Sequence, residues 1–443
     1  MMKKLIRSTE KIFLLAVAFV AVAGCQSAPA SLSTPSHPLA EYDYASLILM
    51  HQPTAELFLG VAHPDAALFE AYFDADKAAA EHAGYQQLLR KSGANVVTVR
   101  DVLLRGTLDR AGNPIAGAAL DSLRAFALDF LKYDASGLSV QNVDSAAVEQ
   151  EKYRRKVIGQ MAPTDLIRVI LLQPEVHLQS TPENTGYAAT YSEKPLMNLY
   201  FMRDQMITTA KGVVLGRMNS VQRNDEVRIA DFCLHKMGIP PVGRIEGDGA
   251  YLEGGDFLSF GQNAFIGCGL RTTLPAIRQL MENNWLGCDT LIVVNDRWHD
   301  QSQMHLDTYF NVIDHDLATL SKKRYQAAKD STSSHYLTVD VYVRHADGTY
   351  QRTIKQQNFV DYLKNHLKMT IIPISEADEN TFACNYLTVG ARHIMAVDGQ
   401  SEDFQTALAK NRVKVTWVPL NNLTKGYGAA HCMTQVLSRK SSR

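Results

Sequence analysis

The chain has 443 residues, 46% of them hydrophobic and 21% charged, enough apolar material to bury a large core in one or two globular domains. A formal net charge of −1 gives no electrostatic footprint for nucleic acid or for an anionic membrane, so charge points to neither partner. The six cysteines lack CxxC or Cys/His ligand spacing, which argues against a zinc site. Five of them lie beyond Cys25 (Cys233, Cys268, Cys288, Cys384 and Cys432). In an oxidising compartment that odd count leaves at least one thiol free or paired with another chain.

The N-terminus reads as a targeting segment. Lys3, Lys4 and Arg7 precede an apolar run from Ile12 to Ala23 that is too short to span a bilayer as a helix. The run ends in Val22-Ala23-Gly24-Cys25, which resembles the bacterial lipoprotein box, in which the cysteine is lipidated and becomes the first mature residue. A plain signal peptide with an incidental Cys25 is the alternative. Gln26 in place of aspartate points to the outer membrane, facing the periplasm or the cell surface. The Ser/Pro/Ala-rich stretch that follows reads as a tether, so the expected layout is signal 1–24, tether 25–43 and one domain over 44–443.

In chain order, short apolar strands alternate with helical patterns. Strands are expected at Ser46–Met50, Asn95–Val99, Gly212–Leu215, Ala264–Cys268, Leu291–Val294, Tyr309–Ile313, Met369–Ile374, Tyr386–Val389, Ile394–Val397 and Lys414–Val418. Each is rich in Val, Ile, Leu or Thr and bounded by polar or Gly-containing turns. Helices are expected at Asp65–Gly93 (with a break), Arg223–Met237, Thr273–Asn284, Gln357–Leu367 and Glu402–Asn411. The recurring unit is strand, strand, helix, strand. From about Pro114 to Ile170 the strands stop, and Leu120, Leu123, Ala127 and Leu131 mark one face of an amphipathic helix. A helical insertion is therefore expected at about 114–178.

Four motifs carry chemistry. Asn198-Leu199-Tyr200-Phe201-Met202-Arg203-Asp204 sets an acid before a Gly-containing turn, although an Arg-Asp pair is ordinarily a surface ion pair. Glu253-Gly254-Gly255-Asp256 combines close backbone approach with an acid on either side, and a capped Gly-Gly turn would look the same. His305-Leu306-Asp307-Thr308-Tyr309-Phe310 reads as the start of a strand, whose period of two would place His305 and Asp307 on one face. Such a pair suits proton transfer beside a cation, and also suits a purely structural hydrogen bond. Gly426-Tyr427-Gly428-Ala429-Ala430-His431-Cys432-Met433 presents a cysteine after small residues, open to a substrate if it is not simply a buried thiol.

In this order and at these separations the motifs resemble those of the arginine deiminases, from about Ala45 to the C-terminus. The resemblance implies the pentein fold, a five-bladed α/β propeller of ββαβ units with the site at its axis. It also implies that Cys432 attacks the guanidinium of arginine through a covalent S-amidino intermediate, giving citrulline and ammonia. Asp204 and Asp307 would grip the guanidinium nitrogens. His305 would act as acid and then base, and Glu253 would orient it. Arg223 and Arg271 fall where the family places carboxylate-binding arginines. Asn198 and Phe201 would line the same pocket. No metal or organic cofactor enters this scheme. The partners it implies are a small guanidino substrate and, through Cys25, a membrane; a homo-oligomer is left open.

Two positions depart from the family. Tyr427 stands where many arginine deiminases carry a further arginine, with Lys425 the nearest cation, and Cys384 precedes Asn385 where paired asparagines are usual. An amidinotransferase shares the fold, but Glu-Gly-Gly-Asp and the helical insertion favour hydrolysis. The two arginines argue against a protein-arginine deiminase. An inactive surface binding protein would be expected to have lost at least one of Asp204, Glu253, His305, Asp307 and Cys432.

Overall fold

The computed structural model describes residues 40–139, 143–183 and 185–441. Cys25 and the signal segment lie outside the described residues. The same local pattern recurs five times: an antiparallel strand pair, in four cases a tight hairpin, then a helix, and a strand that returns parallel to one strand of the pair. Met206–Thr209 pairs with Gly212–Leu215, helix Asn224–Met237 follows, and Gly243–Arg244 closes the sheet. Phe257–Phe260, Asn263–Cys268 and Thr290–Asn295 repeat it around helix Leu274–Glu282. Phe310–Asp314, Leu317–Ser321 and Thr370–Ile374 form the next unit, and Leu387–Gly390, His393–Val397 and Lys414–Val418 the one after, around helix Glu402–Lys410.

The remaining unit takes its strands from both chain ends. Gln435–Lys440 runs antiparallel to Tyr44–Met50, which after helix Ala75–Lys91 is joined in parallel by Asn95–Thr98. Pairing the last strand with the first closes the five units into an α/β propeller, the pentein architecture.

Local chemistry explains the element ends. Gly238 takes the left-handed conformation (φ 76°) that stops helix Asn224–Met237, and Ser401 and Asp74 accept hydrogen bonds from backbone N–H groups of the first turn of their helices. Strand Thr290–Asn295 is buried from Leu291 to Val294, as its unbroken apolar run requires of a strand covered on both faces.

Each strand expected from sequence falls on an observed one, with end shifts of a residue or two. The segment Asp65–Gly93 does break: a single 3-10 turn at Asp65–Ala67 precedes helix Ala75–Lys91. Hairpin Thr338–Arg344 with Tyr350–Asn358 extends the sheet of Thr290–Asn295, and its second strand takes in Gln357 and Asn358, read from sequence as helical. Between the first and second units lie helices Ala118–Leu128, Val143–Gln160 and Pro163–Leu172, against a small sheet of Lys132–Gly137, Glu175–Ser180 and Tyr187–Ser192. The first of these strands corrects the expectation that strands stop there, since parallel pairing with a distant strand outweighs its weak local pattern. Leu120, Leu123, Ala127 and Leu131 are buried together. The segment read as tether is likewise ordered at its end: Ala40 bridges to Phe260, and the Glu41 N–H donates to the Ser259 carbonyl.

Candidate active site

Glu253 enters the site in extended backbone just ahead of a 3-10 turn, Gly254–Asp256. Its carboxylate is wholly buried, with Oε2 2.8 Å from His305 Nε2, while Oε1 accepts the Asn219 N–H at 2.9 Å. The two glycines answer a steric demand. A Cβ on Gly255 would lie 2.7 Å from His305 Nδ1, and one on Gly254 would collide with the Arg203 carbonyl. Asp204 sits on the other side of the imidazole, Oδ1 3.8 Å from Nδ1.

The strand expected at His305–Asp307 is not formed. His305 is the N-cap of a single helical turn, Leu306–Tyr309, and the strand begins at Phe310. Asp256 Oδ1 accepts the Leu306 N–H at 2.9 Å and so supports the start of the turn. His305 and Asp307 both face the site because the turn wraps them round it, not because they alternate along a strand. His305 bonds Glu253, whereas Asp307 Oδ2 is held by His431 Nδ1 at 2.6 Å and lies 3.7 Å from Cys432 Sγ.

Cys432 is buried at the end of the glycine loop. A Cβ on Gly428 would lie 2.6 Å from the Phe201 ring and 3.0 Å from Cys432 Cβ, so the loop can pass the thiol only with glycine there. Asn385 pins the thiol's position. Its Oδ1 accepts the N–H groups of Ala429 (3.0 Å) and Cys432 (3.2 Å), and its Nδ2 donates to Sγ at 3.1 Å. The other four cysteines beyond Cys25 are free, and of these Cys384 stands next in sequence to Asn385, the residue that bonds Cys432.

A narrow pocket leads to the thiol, lined by Leu68, Asn198, Phe201, Asp204, Arg223, Arg271, Gln301, Met304, His305, Gly426, Tyr427 and Cys432. It brings together all the sequence-predicted catalytic and substrate-binding residues except Glu253 and Asp307, which touch its lining through His305 and Cys432 respectively. The two arginines differ. Arg223 donates to Asp204 Oδ2 at 2.8 Å and forks onto Glu226, so its guanidinium is committed within the protein. Arg271 donates to Gln301 at 2.9 Å and keeps a buried Nε with no partner among the described residues. Sequence reasoning missed Glu226, Gln301 and the roles of His431 and Asn385. For the last two, adjacency to Cys432 and the noted departure at Cys384 were the only signals.

Electrostatics separate the groups. Burial alone would push the His305 imidazolium toward neutrality, but Asp204 and the hydrogen bond to Glu253 outweigh it and lift His305 to about 9. For Glu253 burial is likewise overcome, by His305 and the nearby arginines, and the carboxyl is lowered. Burial raises Asp204 against the pull of Arg223 and His305. Burial, with Asp307 and Asp204 beside it, raises the Cys432 thiol well above the ordinary range. One ligand atom each from Asp204, Glu253 and His305 also lies within 4.8 Å of the others, a spacing that can hold a metal ion.

A buried thiol flanked by two carboxylates and a charged histidine, on the axis of a five-unit propeller, defines a guanidine-modifying enzyme of the pentein type. The profile of the arginine deiminase family matches residues 65–439, and the chain belongs to that family. It is 25% identical to the arginine deiminase of Halobacterium salinarum over 92% of this chain and 97% of that protein. It is 24% identical to the arginine deiminase of Limosilactobacillus fermentum over 92% and 100%. The dimethylarginine dimethylaminohydrolase of Pseudomonas aeruginosa, solved with citrulline, aligns over 88% of this chain and 98% of its own, with 13% identity and a TM-score of 0.49.

Proposed function

We propose that the chain hydrolyses the guanidinium of arginine to citrulline and ammonia, with Cys432 as nucleophile. One observation carries this reading: Asp204 Oδ1 and Asp307 Oδ1, both buried beside the thiol, accept no hydrogen bond from the described residues. Two such oxygens are costly unless a cation with paired N–H donors fills the space between them. A guanidinium is that cation, and it stays protonated at any ordinary pH. Its charge would offset both carboxylates, the same groups that keep the thiol neutral, so binding favours the thiolate.

Cys432 Sγ then attacks the guanidinium carbon. The carbon–nitrogen bond to the leaving nitrogen breaks, and ammonia departs with a proton from His305. Neutral His305 next takes a proton from water as it adds to the S-amidino carbon. The carbon–sulfur bond breaks and expels the thiolate, which takes up the proton released by the added hydroxyl as the ureido carbonyl forms, and the product leaves. Glu253 holds the imidazole throughout. The names of the chain's relatives support arginine as substrate, and the unpartnered Nε of Arg271, on the pocket wall, supports a contact to the substrate's far carboxylate. The Val22–Cys25 box supports a mature protein lipidated at Cys25 and held outside the cytoplasm.

The test is ammonia and citrulline release from arginine by purified protein, beside Cys432→Ser. Turnover by the wild type and none by the variant, with unchanged far-UV circular dichroism, is expected, because a hydroxyl lacks the reactivity of a thiolate. Comparable turnover in the variant would move the chemistry elsewhere.

A further inference from the structure

Behind the groups just given roles stands a second histidine, His431, which is wholly buried on the nucleophile loop. One ring nitrogen, Nδ1, lies 2.6 Å from Asp307 Oδ2; the other, Nε2, lies 3.8 Å from Glu41 Oε2. Both nitrogens thus face carboxylates. Glu41 is itself fixed. It pairs with Arg439 and lies 4.0 Å from Arg203, and burial notwithstanding these cations hold its carboxyl far below the usual range. Arg439 in turn donates to the carbonyls of Asp43 (2.8 Å) and Thr388 (2.9 Å).

Asp307 needs such a tether. Its carboxylate rotates about a soft terminal torsion, and the two oxygens are chemically alike. Among the described residues, His431 is the one strong donor to it, on Oδ2, while Oδ1 has no partner. Tying Oδ2 to His431 leaves Oδ1, which accepts nothing from the described residues, as the oxygen available to a substrate.

We propose that His431, backed by Glu41, is a positioning residue that locks the Asp307 carboxylate in the orientation that receives a substrate guanidinium. The proposal rests on the reading of Asp307 as a guanidinium grip. It makes the segment just before the first strand a part of the active site, because Glu41 enters from there. The order of support is Glu41, His431, Asp307, substrate.

The experiment compares His431→Leu, His431→Asn and wild type by the rate at which Cys432 is alkylated by two reagents. 2-Chloroacetamidine carries a cationic amidinium; 2-chloroacetamide is its neutral counterpart. In the wild type the cationic reagent is expected to react faster. In His431→Leu that preference should collapse on the order of tenfold, the loss of one well-placed charge-assisted hydrogen bond, while the neutral reagent keeps its rate. His431→Asn, whose amide N–H can reach the same oxygen, should restore most of the preference. The ratio for arginine, kcat/KM, should follow the same order. An unchanged reagent ratio in His431→Leu overturns the proposal, as does an equal loss with both reagents, which would mark a structural role. Should His431→Leu fail to fold, Glu41→Gln replaces it: a ratio lowered about threefold or more supports the proposal, and an unchanged one overturns it. Absence of arginine turnover in the wild type would overturn the activity but not the role of His431, which the reagent ratio decides by itself.

Discussion

His305 takes its charge from its neighbours, and that sets a pH limit on the enzyme. The free enzyme needs the imidazolium to protonate departing ammonia, so kcat/KM should fall as pH rises through about 9. The same shift bears on stability. The folded value lies above the ordinary 6.5, so the stabilisation is fully present below about 6.5 and is lost as pH rises through about 9. Glu253→Gln removes a carboxylate that supports the proton, and should move the alkaline limb toward lower pH; a limb that stays in place would remove Glu253 from that role. Specificity rests on a different residue. Arg271 keeps a buried Nε without a partner among the described residues while Arg223 is committed to Asp204 and Glu226. Arginine should therefore be preferred over agmatine, which lacks the carboxylate, by at least about tenfold, the worth of roughly 1.5–3 kcal/mol for one charge-assisted bond. Arg271→Leu should narrow that gap through loss on arginine, whereas Arg223→Leu should damage both substrates alike because it releases Asp204; equal efficiency of the wild type on the two substrates would discard the clamp. Cys432, Asp204, Glu253, His305 and Asp307 were legible because each sits in a short, ordered motif. His431 and Asn385 were not legible in these roles, since their partners lie 124 and 47 residues away and no local pattern records such contacts.

At the scale of elements, composition showed where strands lie but not what precedes them. His305–Asp307 continues into the apolar run Phe310–Asp314, and a period of two is the simplest extension of it. A helical turn forms instead because Asp256 caps the Leu306 N–H from another unit, a tertiary contact that outweighs the local pattern. The Gly-Gly pair was legible as close approach, and the structure supplies the object approached. Gly255→Ala would press a methyl to within 2.7 Å of His305 Nδ1, against a ring already fixed by Glu253 at 2.8 Å. Backbone on one side and a hydrogen-bonded ring on the other leave little room to yield. The ring should turn away, costing on the order of 10²-fold in kcat, as expected for displaced acid-base catalysis, with little change in KM. Steady-state kinetics on a variant of wild-type circular dichroism would show it. A variant with normal kcat would mean that the turn can shift without carrying His305 along.

At the scale of the whole molecule, the alternation of strands and helices was visible along the chain, but the strands Met206–Thr209, Phe257–Phe260 and Leu317–Ser321 were not, nor was the closure of the repeat. No local feature of Gln435–Lys440 says that it must pair with Tyr44–Met50, nearly four hundred residues earlier. Closure draws the residues ahead of the first strand into the domain, so Glu41 reaches the back of the site and Ala40 bridges to Phe260. A lipid on Cys25 would thus be joined to the enzyme through residues 26–39 alone. Even fully extended, fourteen residues span no more than about 50 Å, which would bound the distance of the catalytic domain from the membrane surface. The expected outcome is sharp: Cys25→Ser should move the protein from the membrane fraction to the soluble one and abolish incorporation of labelled fatty acid, while purified activity on arginine is unchanged. The activity half follows from position, since none of the described site residues lies upstream of Glu41. Wild type and variant fractionating together in the soluble phase would discard the anchor and leave the catalytic assignment as it stands. If activity fell with the anchor instead, the segment between Cys25 and Glu41 would have to bear on how Glu41 is seated behind His431.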